Sequence, residues 1–174
     1  MKALTIRTSI SEIDLTTPTA SKQYPLGTVF EFVDSDSPDA IKRFKYVKAH
    51  AALTQYRPYV ISYAGTAASE ILTAVPTTQT SPIVEVCVPQ VAFTSGYYGF
   101  VQVMGQSTAK IDAETYASGD PLELINGGST FIVNGTSGTP LVDSKTAAIC
   151  QATGSSAANI TVYLIGNRVQ NASS

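Results

Sequence analysis

The sequence predicts a mostly-β fold: a single-domain β-sandwich or small β-barrel with an extended N-terminal arm and little helix. Three observations predict it. Charged residues make up 14% of the 174, while Ser and Thr occupy 18 and 21 positions, so hydroxyls cover much of a surface that in average soluble proteins is roughly 25% charged by composition. Short stretches rich in Val, Ile, Thr and Tyr recur, the residue types that suit a pleated sheet. Between them lie Gly, Pro and Asn clusters at short intervals, the rhythm of sandwiches and barrels rather than of alternating strands and helices.

The elements follow in order. Residues 1–24 are rich in Thr and Ser, carry Pro18 and show no sustained period; they read as the extended arm, with one short strand near residues 4–8. The β domain spans residues 25–169. Its first strand falls at 27–33, and Asp34-Ser35-Asp36-Ser37-Pro38-Asp39 is a turn cluster. Residues 43–48 alternate, with Phe44 and Tyr46 on one side and Arg43 and Lys45 on the other, which predicts a strand with one wet face. A strand at 59–63 follows, and then a short helical turn or loop at 67–74. The near-continuous apolar run 83–88 predicts a buried central strand. Residues 97–105 form another, and a glycine inside such a pattern marks a bulge or a close backbone approach. Further strands fit 109–112, 122–125, 131–133, 147–151 and 160–165. The turn signals between them are Ser118-Gly119-Asp120-Pro121, Asn126-Gly127-Gly128, Asn134-Gly135, Gly138 and Gly154-Ser155-Ser156. Residues 170–174 read as a frayed tail.

Chemistry is sparse. A net charge of −2 gives no reason to expect nucleic acid or an anionic membrane as partner, and no stretch approaches the roughly 20 apolar residues of a membrane span. Met1–Arg7 holds no apolar run of signal-peptide length. Cys87 and Cys150 sit in apolar surroundings and read as buried free thiols, the state expected in a reducing cytoplasm. His50 is the one histidine; as a base it needs a nucleophile and an orienting carboxylate that sequence does not place. One His and two distant Cys argue against a transition-metal site. Asp34, Asp36 and Asp39 lack the glycine and final glutamate of an EF-hand, and Asp112 with Glu114 reads as ordinary surface acid. Gly96, Gly99 and Gly105 are not followed by the Lys-Ser/Thr of a phosphate loop. The expectation is no enzyme, no metal and no cofactor.

Charge and tyrosine suggest contact instead. Between residues 40 and 69 there is no acid, yet Lys42, Arg43, Lys45, Lys48 and Arg57 lie there; from residue 81 onward six acids accompany Lys110, Lys145 and Arg168. Either the basic stretch is a solvated surface, or it is an edge that meets an acidic patch on a partner. Tyr56, Tyr59 and Tyr63 cluster, as do Tyr97 and Tyr98, and tyrosine suits both core edges and protein interfaces. The candidate protein-contact residues are Lys42, Arg43, Lys45, Lys48, Tyr56, Arg57 and Tyr59.

The segment Val86-Cys87-Val88-Pro89-Gln90-Val91-Ala92-Phe93-Thr94-Ser95-Gly96-Tyr97-Tyr98-Gly99-Phe100-Val101-Gln102-Val103-Met104-Gly105, followed by Ala117-Ser118-Gly119-Asp120-Pro121-Leu122, resembles the tailed-bacteriophage head decoration, or capsid cement, proteins. Pro25-Leu26-Gly27-Thr28 and the strand at 43–49 suit the same resemblance, which extends over residues 25–166. It implies a β-rich homo-oligomer, with a trimer favoured, made in the host bacterial cytoplasm. Such a protein binds the major capsid protein on the outside of the head and stabilises contacts between its subunits. The arm is then expected to lie across a neighbouring subunit or to fray. Two alternatives stand beside this one: a tail or fibre-attachment subunit of the virion, and a carbohydrate-binding β-sandwich using Tyr97, Tyr98 and Gln102.

Overall fold

One long strand organises the molecule. The computed structural model describes residues 13–34, 37–62, 72–74, 83–124, 130–135, 146–166 and 168–170. In it the chain is continuous β-structure along β6, Tyr98–Ile111, which joins what the sequence predicts as two strands. Gly105 is the reason the strand bends without ending: it holds φ +92°, which only glycine takes up at little cost. Close by, Arg43 pairs with Met104 but Phe44 with Gln102, so β6 carries one extra residue and bulges there.

The remaining strands are β1 (Val29–Asp34), β2 (Ser37–Ala49), β3 (Tyr59–Ser62), β4 (Leu72–Ala74), β5 (Ile83–Cys87), β7 (Pro121–Leu124), β8 (Phe131–Val133), β9 (Ala148–Cys150), β10 (Ala158–Ile165) and β11 (Arg168–Gln170). Beyond the bulge, β6 pairs antiparallel with β10, and the order β10-β9-β7-β8 returns to β6 through a parallel contact of Ile111 with Phe131. This is a closed barrel of five strands. Its interior is filled by side chains, as in other small barrels, among them Ile111, Leu122, Phe131, Val162 and Leu164, all buried. Burial alternates strictly along this half of β6, because one face lines the barrel and the other does not.

Before the bulge, β6 belongs to a second ring. It pairs with β2, then come β4, β3 and β5, and Val88, just past β5, exchanges backbone hydrogen bonds of 2.9 and 3.1 Å with Gln102. Val47, Tyr59, Ile61, Cys87, Val101 and Val103 fill this ring, under a cap made by Leu53 and Phe93. Val60, Val86 and Val88 point the opposite way, into the first cluster. Residues 85–88 are therefore buried throughout, which explains their near-continuous apolar sequence.

A third layer covers the outer face of β2 and β6. Phe44, Tyr46 and Phe100 are buried there beneath Ile13, Leu15, Tyr24, Leu26, Phe30 and Phe32. Rings meet at 5.3 Å for Tyr24–Tyr46 and 5.4 Å for Phe30–Phe100, contacts worth roughly 0.5–1.5 kcal/mol each beyond area burial. Thr19 bridges Tyr98, and the Gln23 N–H donates to the Tyr46 hydroxyl at 2.9 Å. The described part of the predicted arm, residues 13–24, thus lies on this chain's own sheet; the strand predicted at 4–8 lies outside the described residues.

Several expectations are corrected. Pro38 and Asp39 belong to β2 rather than to a turn. Residues 72–74 are strand β4, paired parallel to the end of β2, so tertiary pairing overrides weak local propensity; residues 67–71 lie outside the described residues. Gln170, assigned to the tail, pairs with Ile83 in β11. The expected wet face of residues 43–48 is largely absent: Lys45 turns into the mouth of the second ring, and the opposite face is roofed by the aromatic layer. The turns at 126–128 and at 138 lie outside the described residues.

Candidate functional site

Period-2 geometry gives the β1–β2 hairpin two unlike faces. In register, Phe30 sits opposite Phe44, while Val29, Glu31 and Val33 sit opposite Lys45, Arg43 and Ile41. The phenylalanine face closes the aromatic layer. Pairing of β2 with β6 starts only at Arg43, so beyond it the hairpin strands have only each other as ladder partners among the described residues. On its open face Val29, Val33 and Ile41 are 42%, 58% and 44% exposed, the exposed large apolar side chains among the described residues. The Arg43–Glu31 ion pair lies between them. Among the described residues β1 has β2 as its one strand partner.

The seven predicted contact residues do not form one surface. Arg43 is on the open face of the hairpin, and Lys42 lines a groove on the other side. Lys45 is paired with Glu85, their side chains only 13% and 10% exposed. Lys48 lies 5.7 Å over the Tyr98 ring, roughly 20 Å along the strand from Lys42. Tyr56 is half-buried with a left-handed backbone (φ 66°), and Arg57 is exposed beside it. Tyr59 is in the core, its hydroxyl accepting the Thr54 N–H at 2.8 Å. Val29, Val33 and Ile41 went unremarked in the sequence. The available signal was Val29-Phe30-Glu31-Phe32-Val33, which is apolar on both faces of a strand when one buried face needs only the phenylalanines.

The groups weighed for chemistry hold structure. Glu114 accepts the Val133 N–H, and Asp112 accepts that of Ala113, so both tie down loop backbone. His50 is exposed, with the Ser95 hydroxyl donating to its carbonyl. Burial pushes the Cys87 thiol well above its ordinary range, with Glu85 adding to the effect. Burial likewise raises Cys150, whose thiol donates to the Ala152 carbonyl. Asp14 moves the other way, to a pKa of about 2, because the Thr17 and Thr16 side chains and the Thr16 N–H hydrogen-bond its carboxylate. Among the described residues no three His, Cys, Asp or Glu side chains gather as metal ligands.

A polar groove of about 270 Å³ lies at the seam of the two rings, lined by Gln90, Gln102, Gln106, Ser107 and Thr161, with Phe44 as an apolar wall. A second cavity of about 220 Å³ lies near Tyr24, Tyr46 and Tyr98. Gln102 and Tyr98, joined in the carbohydrate-binding alternative, therefore line separate cavities.

No protein-family model matches the chain, and no curated protein does. Among solved structures the chain is similar to the crystal structure of the head fiber gp8.5 N base of bacteriophage phi29. The TM-score is 0.47 at 13% identity, over 72% of this chain and 96% of that one.

Proposed function

We propose that the protein is a structural component of a tailed-bacteriophage virion that binds the outside of the head and stabilises contacts between major capsid protein subunits. The observation that carries this reading is the β1–β2 hairpin, where Val29, Val33 and Ile41 are exposed on one face. Val33 and Ile41 sit side by side, with the Arg43–Glu31 ion pair between them and Val29; exposed apolar side chains beside polar ones suit a protein contact, and an unshared strand edge offers backbone groups for strand addition. The resemblance to cement proteins supports the choice of partner and the homo-oligomeric, trimeric state. The hairpin supplies the centre of a contact, since a lasting interface buries roughly 800 Å² on each partner.

The test is co-sedimentation of the purified protein with empty heads. Saturable binding at a fixed ratio to capsid protein is expected. Val33→Asp, at a site 58% exposed, keeps the fold and weakens binding by about 2 kcal/mol, roughly thirtyfold in Kd. Neutralising Lys42, Arg43, Lys48 and Arg57 together reads out the salt-dependent part. Undiminished binding by Val33→Asp refutes the hairpin contact. Absence from heads, with recovery on tails or fibres, replaces the capsid role by the attachment role.

A further inference from the structure

The seam groove contains an acceptor the fold does not satisfy. Gln102 is 2% exposed, and its Nε2 donates to the carbonyls of Met104 (3.1 Å) and Gln106 (2.8 Å). Carbonyls only accept, so the chemistry of these partners fixes which amide atom is nitrogen. The Gln102 Oε1 then has no donor among the described residues, and a buried acceptor left without a hydrogen bond is destabilising. Gln90 is oriented in the same way: one Nε2 N–H donates to the Ser107 hydroxyl at 2.9 Å, and the Val88 and Thr108 carbonyls, at 3.4 and 3.3 Å, share the other. Its Oε1 also lacks a donor among the described residues. Both side chains present acceptors, with their own donors already spent on the protein.

The rest of the lining narrows the ligand. Ser107 and the cross-strand neighbours Thr108 and Thr161 add hydroxyls, which both donate and accept. Among the described residues no carboxylate lines the groove, so none of them offers a counter-charge to an ammonium or guanidinium guest. The two amide oxygens in turn disfavour an anion. A neutral guest with several hydroxyls satisfies every group, and its C–H face can lie against Phe44. At about 270 Å³ the groove is below the roughly 300 Å³ where drug-sized pockets begin, room for one sugar ring. We propose that the seam groove is a binding site for a single neutral hexose unit of a glycan, held by the Gln90 and Gln102 amide oxygens. This site lies on the opposite face of the hairpin from Val29, Val33 and Ile41 and does not depend on the virion reading.

The experiment is saturation-transfer NMR on the full chain with glucose, galactose, mannose and N-acetylglucosamine, and with methylguanidinium as the cationic probe. Transfer to the ring protons of at least one sugar is expected. It should fall at least tenfold in Thr161→Arg, which fills the groove from an exposed position on β10, and in Gln90→Met, which keeps the length but removes the acceptor. Amide spectra establish that both variants keep the fold. No transfer to any of the four sugars, equal transfer in both variants, or transfer to methylguanidinium alone overturns the proposal.

Discussion

Replacing Gly105 by alanine probes the bend that lets one strand serve both rings. A Cβ at this position would lie 2.3 Å from the Ile41 carbonyl oxygen and 3.1 Å from both the Ile41 carbonyl carbon and the Lys42 Cα. These are backbone atoms of β2, so no side-chain rotation relieves the clash. The backbone angle of +92° adds a conformational cost of about 1–2 kcal/mol for a residue with a Cβ. Gly119 isolates that cost: its φ is +98°, but a Cβ there meets nothing within 4 Å. Gly119→Ala should therefore lose about 1–2 kcal/mol. Gly105→Ala should lose about 3 kcal/mol or more, since close-packed backbone yields little. For a chain of this size each kcal/mol moves Tm by about 2–4 °C, so the two variants should differ by several degrees in thermal melts and in urea midpoints. Equal losses at the two glycines would refute the idea that close approach of β2 to β6 fixes the bend.

Three further outcomes are expected. Lys45→Met removes the cation paired with Glu85 at the mouth of the second ring and costs about 3 kcal/mol, whereas Lys45→Met with Glu85→Leu recovers most of it; urea unfolding of both variants checks this, and a double variant no better than the single one counts against a buried pair. The Asp14 carboxyl, lowered from 3.8 to about 2, contributes stability present above pH 3.8 and lost as pH falls through about 2; carbon-detected NMR should find that midpoint, and an unshifted titration would remove the Thr16–Thr17 turn as its cause. Neither Cys87 nor Cys150, both buried, should react with a thiol reagent at neutral pH until denaturant is added; native-state labelling would contradict the packing around them.

Much of the fold was legible because strand formation here is local. The alternation in residues 43–48, the apolar run at 83–88 and the glycine-bounded segment at 97–105 each correspond to strands, and Ser118-Gly119-Asp120-Pro121 turns the chain into β7, with the Asp120 N–H donating to the Ala117 carbonyl. The proposed contact surface was far less legible. Lys45 reads as a wet-face cation, and only its pairing with Glu85, forty residues away, shows it turned inward. Val33 and Ile41 emerge as exposed only once their hairpin is seen to outrun β6.

The sequence by itself determined the mostly-β character and the position of most strands, because residue type and period-2 spacing act within a few neighbours; that the strand bends at Gly105 and runs on, rather than ending there, came from the structure. The tertiary structure alone decided that β6 is shared by two rings, that Val88 closes one of them on Gln102, and that residues 13–24 roof the aromatic face. Alternation says which side chains share a face of a strand; which face is covered depends on segments far away in the chain. At Gln102, buried with one acceptor unsatisfied at the seam, that distant closure created a site that no local pattern announces.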